Sequence, residues 1–160
     1  MMDTSRIIFI HGSDSNGQTY KAQILRSIFP GIITPDFSGS LAIRLSQLDE
    51  IIQGTPGWTL IGSSLGGLIA AVYTLKHPNQ VCNLVLMAPA LHLPEFSRLR
   101  LKPVKIPTLL IIGRKDDVIP CEVVHRVAKR FFPGLIFLSV DDDHRLHHTT
   151  ECLDWNNRLS

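Results

Sequence analysis

The chain has 160 residues, of which 44% are hydrophobic and 19% are charged. This composition excludes a disordered or fibrous protein, and the length fits one domain, residues 1–160, with a proper core. The formal net charge of +2 comes without a run of Lys and Arg, which argues against a nucleic-acid partner.

The three cysteines, Cys82, Cys121 and Cys152, are odd in number and widely spaced. A disulfide framework or a cysteine zinc site is therefore not expected, and a reducing cytoplasm fits best. The apolar run at residues 7–10 is too short for a secretory segment or a membrane span. We therefore expect a cytoplasmic protein that does not bind a membrane.

Short apolar runs alternate with helical patterns along the chain. Six runs predict β-strands, at residues 7–10, 31–34, 58–61, 81–87, 107–112 and 135–140. Apolar residues at helical spacing predict helices at residues 20–28, 41–52, 65–76, 120–131 and about 149–157. The second helix follows Ser40, a typical N-cap residue, and the third is apolar nearly all round, as in a buried helix.

This alternation also predicts the architecture. Strands that are apolar throughout belong in a parallel sheet covered on both faces. Helices between such strands make the sheet doubly wound, with right-handed crossovers. We therefore predict an α/β fold with a doubly wound parallel sheet of about six strands and helices on both faces. In such sheets a ligand binds beyond the carboxyl ends of the strands, and each candidate residue below follows a strand.

The segment Gly62-Ser63-Ser64-Leu65-Gly66 matches the G-x-S-x-G pattern of a nucleophile elbow. A predicted strand precedes it and a predicted helix follows it, which is the context the motif requires. Ser64 is therefore the candidate nucleophile, in a strained turn that only small neighbours tolerate. The alternative is a Gly/Ser-rich turn without chemistry, and Ser63 is interpreted as a small residue that fills the turn.

A nucleophile of this kind needs N–H donors aimed at the developing oxyanion. One expected donor of this oxyanion hole is the backbone N–H of Leu65, just after the nucleophile. The second is the backbone N–H of Ser13, in the loop His11-Gly12-Ser13 that follows the first strand. His11 is interpreted as a structural residue that holds this loop. The alternative for the loop is an ordinary glycine turn.

A serine hydroxyl also needs a base, and the base needs a third group that orients it. In this architecture the order along the chain is serine, acid, histidine. Asp116 and Asp117 follow the fifth strand as candidate acids, and His144 follows the sixth strand as the candidate base. His147 and His148 are rivals for His144, but we expect them farther on, toward the last helix.

The three histidines at 144, 147 and 148 could suggest metal binding, but they lack the partner ligands of a recognised zinc motif. We therefore expect no metal and no cofactor. The run Asp141 to Asp143, just before His144, is interpreted as a solvated acidic loop.

Together these segments resemble the α/β-hydrolase superfamily, and within it the small cytosolic serine esterases without a cap domain. The resemblance runs from Ile7 to about His148. Four motifs carry it in order: HG at residues 11–12, GSSLGG at 62–67, D-x-x-[VI]-P at 116–120 and DH at 143–144. In that family the aspartate before x-x-[VI]-P is the triad acid and the histidine after the last strand is the base. The resemblance therefore implies Asp116 as the acid and His144 as the base.

The sequence departs from the family pattern in two places. Because the strand before HG is the first one predicted, we expect a sheet without the family's usual first two antiparallel strands. The segment 89–105, where many members carry a cap domain, has room for at most a turn or two of helix. We therefore expect a minimal α/β-hydrolase fold with an open, shallow site. The same segment contains Arg98, Arg100, Lys102 and Lys105. It is interpreted as a solvated basic face, with a mild preference for anionic acyl substrates as the alternative.

These observations predict a serine hydrolase whose partner is a small-molecule ester. Ser64 would form an acyl-enzyme with a short-chain carboxylic ester or a thioester, with His144 and Asp116 completing the triad. One alternative is an amide or peptide hydrolase with the same residues, because fold and triad do not set the substrate. Another is a hydrolase-like module that binds a ligand or acts as a scaffold without catalysis.

Overall fold

The structure is a computed structural model that describes residues 2–13 and 15–159. Over these residues, five strands form one parallel sheet in chain order. They are β1 (Ile7–Ile10), β2 (Trp58–Ser63), β3 (Val81–Met87), β4 (Thr108–Gly113) and β5 (Ile136–Val140). The α/β fold with a parallel sheet is therefore confirmed.

The predicted strand at residues 31–34 is reduced to a single parallel bridge between Ile33 and Ile8 of β1. Ile33 donates its N–H to Ile7 and accepts from Phe9, each at 2.9 Å, so it lies on the edge of β1 opposite β2. The next residue but one, Pro35, has no N–H to continue a ladder. The sheet thus has five strands over the described ranges, rather than about six.

The bridge at Ile33 nevertheless defines a reversal in the sheet. The chain moves outward from β1 to Ile33 and then returns across β1 to form β2. Because parallel crossovers are right-handed, this reversal puts the two connecting helices on opposite faces. It also opens a crevice at the carboxyl ends of β1 and β2, which is where a doubly wound sheet binds its ligand.

The helices surround this sheet. They are α1 (Tyr20–Ile28), α2 (Leu41–Ile52), α3 (Leu65–Lys76), α4 (Pro94–Ser97), α5 (Cys121–Phe131), α6 (His147–Cys152) and α7 (Trp155–Leu159). The hydroxyls of Thr19 and Ser40 accept from backbone N–H groups at the starts of α1 and α2. The apolar helix α3 is buried along almost its whole length against β1, β2 and β3. Helix α2 packs on α3, and α1 packs on α6.

The single last helix predicted near 149–157 is wrong, because the structure has two short helices there. Leu153 adopts an extended conformation that ends α6. Asp154 then accepts from the backbone N–H of Asn157 and starts α7. The break lets Trp155 turn inward, where its indole N–H donates to the Thr150 carbonyl at 2.8 Å.

The connection from β3 to β4, residues 88–107, holds one four-residue helix, α4. This length agrees with the prediction that no cap domain is inserted there. Across the part of the chain that the structure describes, every helix is too short or too polar to cross a bilayer.

Candidate active site

Ser64 occupies a sharp turn between β2 and α3. Its backbone has φ +56° and ψ −116°, a region that a non-glycine residue enters only at a cost of order 1–3 kcal/mol. Close backbone packing holds the turn in place. A Cβ on Gly66 would lie 1.9 Å from the Ile10 carbonyl oxygen, and one on Gly62 would lie 2.3 Å from the Gly66 oxygen. Both glycines are therefore required by space.

Ser64, His144 and Asp116 form a continuous hydrogen-bonded chain. The Ser64 Oγ lies 3.2 Å from His144 Nε2, and His144 Nδ1 lies 2.8 Å from Asp116 Oδ2. The Asp116 side chain is fully buried, with 0% exposure, and that of His144 is 18% exposed. Because a carboxylate can only accept, Nδ1 carries the proton and the Nε2 lone pair faces the serine. This arrangement can move a proton from Ser64 to His144.

Asp116 is held by its own loop after β4. Its other oxygen, Oδ1, accepts from the backbone N–H groups of Val118 at 2.8 Å and Ile119 at 3.0 Å. These bonds fix the carboxylate so that Oδ2 faces His144. The neighbouring Asp117 is exposed. The structure thus brings Asp116, not Asp117, to the histidine.

The loop that carries His144 is organised by the two aspartates before it. Asp142 Oδ2 accepts from the backbone N–H of Thr149 at 2.9 Å and from its hydroxyl at 2.8 Å. Asp143 Oδ1 accepts from the N–H groups of Arg145 and Leu146. Of the run interpreted as a solvated acidic loop, Asp141 and Asp143 are exposed and Asp142 is half-buried. Asp141 forms an exposed ion pair with Lys115, whereas the carboxylates of Asp142 and Asp143 cap this turn.

Among His144, His147 and His148, the hydrogen bond to Ser64 comes from His144, although His147 lines the same cleft. His147 packs against the Tyr20 ring, with the ring centroids 4.5 Å apart. Burial, together with the positive charges of Lys21 and Arg145, lowers the pKa of His147 below its ordinary value. His148 is exposed, with its Nδ1 near the Sγ of Cys152.

The two expected oxyanion donors flank the serine. Leu65 is the first residue of α3, so its N–H has no acceptor within the helix. On the other side, a Cβ on Gly12 would lie 3.6 Å from the Ser64 Cβ, so the loop after β1 passes directly beside the nucleophile. Ser13 follows in that loop and lines the same cleft as Ser64. The oxyanion role of both N–H groups stays a prediction.

His11 anchors the loop beside Ser64. The side chain is 1% exposed, and its Nε2 accepts from the backbone N–H of Phe37 at 2.8 Å. Its Nδ1 therefore carries the proton and donates to the Gly12 carbonyl at 2.7 Å. Both ring nitrogens are committed to backbone groups, as a structural residue requires.

A cleft of about 530 Å³ opens beside these groups. Its lining includes Gly12, Ser13, Lys21, Ser64, His144 and Arg145. The basic segment between β3 and β4 lies elsewhere, because Arg100 and Lys102 line a separate cavity with residues of α4 and α5.

Sequence reasoning missed Lys21. Its ammonium donates to the Ser63 Oγ at 2.5 Å, so Ser63 is a hydrogen-bond acceptor as well as a small turn residue. One sequence signal could have found it. Lys21 lies in the first turn of α1, where the helix dipole disfavours a cation.

Comparison with known proteins supports the fold. The family model Hydrolase_4, described as serine aminopeptidase, S33, matches residues 45–103, which include the elbow. (Lyso)-N-acylphosphatidylethanolamine lipases of Bos taurus and Homo sapiens are 33% identical to this chain over 88 residues. That match covers 52% of this chain and only 25% of each lipase.

Solved structures extend the likeness to nearly the whole chain. The mouse alpha/beta hydrolase domain-containing protein 10 superposes with a TM-score of 0.79 at 21% identity, covering 100% of this chain and 92% of that one. An esterase from Exiguobacterium antarcticum gives 0.76 at 18% identity, covering 96% and 91%.

A protein of the α/β superfamily from Xanthomonas campestris pv. campestris gives a TM-score of 0.77 at 27% identity, and the match covers 94% of both chains. The sheet topology, the elbow and these likenesses lead to one conclusion. The chain has the α/β-hydrolase fold.

Proposed function

We propose that this protein is a serine hydrolase that cleaves small or short-chain carboxylic esters, or thioesters, through an acyl-enzyme on Ser64. The observation that carries the proposal is the hydrogen-bonded chain from Ser64 through His144 to Asp116. A serine becomes a good nucleophile when a base oriented by a third group takes its proton. The three free cysteines suit a reducing compartment, and we extend the proposal to a cytoplasmic location.

In the first half of the reaction, Ser64 Oγ attacks the carbonyl carbon while its proton passes to His144 Nε2. The imidazolium that forms keeps its Nδ1–H bonded to Asp116, which stabilises the positive charge. The carbonyl oxygen becomes an oxyanion and accepts from the N–H groups of Leu65 and Ser13. His144 then donates the Nε2 proton to the leaving alkoxide, so an alcohol departs and the acyl group stays on Ser64.

In the second half, water takes the place of the alcohol. His144 removes a proton from the water, whose oxygen attacks the acyl carbon. The same two N–H groups hold the second oxyanion. His144 returns the proton to Ser64 Oγ as the ester bond to the serine breaks, and the carboxylic acid leaves.

The cleft favours small substrates. Its volume of about 530 Å³ suits a small ligand, and the short connection between β3 and β4 supplies no cap to enclose a long acyl chain. The relatives named as lipases and esterases support an ester as substrate.

An amide or peptide substrate is the second candidate, because the matching family model is described as a serine aminopeptidase. The same groups can cleave either bond, since specificity lies in the pocket. Matched p-nitrophenyl esters and p-nitroanilides of one acyl group separate the two. We expect a higher kcat/KM for the ester, and a preference for the anilide would favour the second candidate.

A series of p-nitrophenyl esters with acyl chains of two to twelve carbons tests the main proposal. We expect an optimum at short chains and a loss of kcat of roughly 10⁴-fold or more in Ser64→Ala. A fluorophosphonate probe should label wild-type protein at Ser64. Turnover that survives Ser64→Ala would rule out the proposed mechanism, and absence of labelling would favour a non-catalytic module.

A further inference from the structure

The cleft contains a cation that the proposed mechanism does not use. Lys21 extends from the first turn of α1 into the cleft that holds Ser64 and His144. Its Nζ donates to the hydroxyl of Ser63 at 2.5 Å. Because Ser63 directly precedes the nucleophile, this ammonium lies close to the point where an ester would react.

The hydrogen-bond partner of the Lys21 ammonium is the neutral Ser63 hydroxyl, whereas a buried cation is expected to pair with a carboxylate. Within residues 2–13 and 15–159, the ion pairs are Lys115–Asp141 and His144–Asp116. The carboxylates whose charges reach Lys21 are those of Asp143 and Asp142, and both accept backbone N–H groups of the His144 loop. An ammonium has three donors, so Lys21 can still donate to a ligand in the cleft.

Stability does not explain a lysine at this position. Burial lowers the pKa of Lys21 to about 8, even though Asp143 and Asp142 act in the opposite direction. The helix dipole also disfavours a cation in the first turn, whereas an apolar side chain would fill the space without either penalty. A destabilised charge in a cleft beside a nucleophile is typical of a functional group.

We propose that Lys21 binds a carboxylate carried by the substrate, in addition to the ester that is cleaved. This inference rests on the proposed function. One ammonium in a partly dry cleft matches one singly charged carboxylate. Arg145, exposed at the edge of the same cleft, adds positive potential on the path of entry. The substrate class is therefore the half-ester of a small dicarboxylic acid, or the ester of a small hydroxy acid.

Two pairs of substrates with equal shape and different charge test the proposal. Monoethyl succinate is compared with ethyl 4-methylpentanoate, which puts the carboxylate on the acyl side. The acetate ester of 3-hydroxypropanoate is compared with 3-methylbutyl acetate, which puts it on the alcohol side. We expect kcat/KM for the charged member of at least one pair to exceed that of its neutral partner by about tenfold.

Lys21→Met should lower this charged-to-neutral ratio by about tenfold, and Lys21→Arg should retain part of it. Lys76→Met is the matched control, because Lys76 is exposed at the far end of α3, and it should keep the wild-type ratio. Circular dichroism verifies that each variant folds. If Lys21→Met does not fold, the charged-to-neutral ratios of wild-type protein and of Lys21→Arg still test the carboxylate site.

The wild-type ratio should also depend on pH. It should fall as the pH rises through about 8, where Lys21 loses its charge. The other charged or titratable groups that act on Lys21 are Asp142, Asp143, Arg145 and His147. Because the pKa of His147 is lowered below its ordinary value, its charge change moves away from pH 8, and a loss of the preference near pH 8 is assigned to Lys21.

The outcomes separate this inference from the proposed function. A ratio near one in wild-type protein, or an equal ratio in wild type and Lys21→Met, overturns the carboxylate site while leaving the hydrolase intact. If no ester is cleaved and the fluorophosphonate probe does not label Ser64, the hydrolase proposal fails. Binding of monoethyl succinate, followed by NMR, then decides the site. Binding that Lys21→Met abolishes supports it, and absence of binding overturns it.

Discussion

The two sides of the candidate site are built by different means. On the nucleophile side, the backbone approaches itself so closely that Gly62 and Gly66 leave no room for a Cβ. On the base side, side-chain carboxylates hold the loops. Asp116 caps its own turn, and Asp142 bonds to Thr149 at the start of α6. Steric contact fixes one side, and hydrogen bonds fix the other.

This difference predicts how each side responds to change. In a close-packed turn any added atom must displace backbone, so even one extra methyl group should be strongly destabilising. A turn held by hydrogen bonds loses about 1 kcal/mol for each bond removed and keeps its fold. Substitutions of the turn glycines should therefore cost more stability than substitutions of the base-side carboxylates.

The largest effect is expected for Asp116→Asn. The asparagine Oδ1 can still accept from Val118 and Ile119, so the fold should be kept. Its NH₂ group would face His144 Nδ1, however, and favour the tautomer with the proton on Nε2, which cannot accept from Ser64. We expect kcat to fall roughly 10⁴-fold, measured on the best p-nitrophenyl ester.

Asp117→Asn is the matched control for this experiment, because Asp117 is the exposed neighbour of Asp116. It should keep wild-type kcat and wild-type stability. A large loss of activity in Asp117→Asn, or near-normal activity in Asp116→Asn, would show that the acid has been misassigned.

On the nucleophile side, Gly66→Ala should have the largest effect on stability. The new Cβ would lie 1.9 Å from the Ile10 carbonyl oxygen, and neither backbone segment can move without breaking the turn. We expect a loss of about 3 kcal/mol or more in the free energy of unfolding, measured by urea denaturation. Gly134→Ala, where a Cβ meets nothing within 4 Å, should change stability by less than about 1 kcal/mol. Similar losses in both variants would contradict the steric account.

Local signals explain what the sequence could predict. Helix α3 spans the predicted residues 65–76, because the elbow motif marks its start and His77-Pro78 marks its end. The parallel sheet follows from strands that are apolar on both faces. The order of the motifs placed Ser64, Asp116 and His144 at one edge of the sheet, since the carboxyl ends of parallel strands meet there.

Contacts between distant segments explain what the sequence could not predict. The strand at 31–34 is limited by Gly31, whose N–H donates to the Thr4 hydroxyl rather than to a neighbouring strand. Asp142 stabilises the His144 loop because it hydrogen-bonds to Thr149, and Lys21 is held in the cleft by its hydrogen bond to Ser63. Each pair is set by the folded chain, so periodicity and motif spacing do not predict which residues will pair.

The smallest effect is expected for Asp142→Asn on the base side. Burial alone would raise the pKa of Asp142, but the hydrogen bonds from Thr149 and Asp143 outweigh it and hold the pKa below its ordinary value of 3.8. A carboxyl whose pKa is lowered on folding stabilises the protein above its unfolded pKa, and that contribution is lost as the pH falls through the folded pKa. The variant should therefore lose about 1 kcal/mol of unfolding free energy at pH 7, and the difference from wild type should shrink below about pH 4.

Urea denaturation at pH 7, 5 and 3 measures this difference, with Asp117→Asn as the control. If Asp142→Asn lost as much unfolding free energy at pH 7 as Gly66→Ala, the two sides of the site would not differ in how they are stabilised, and the comparison above would be wrong.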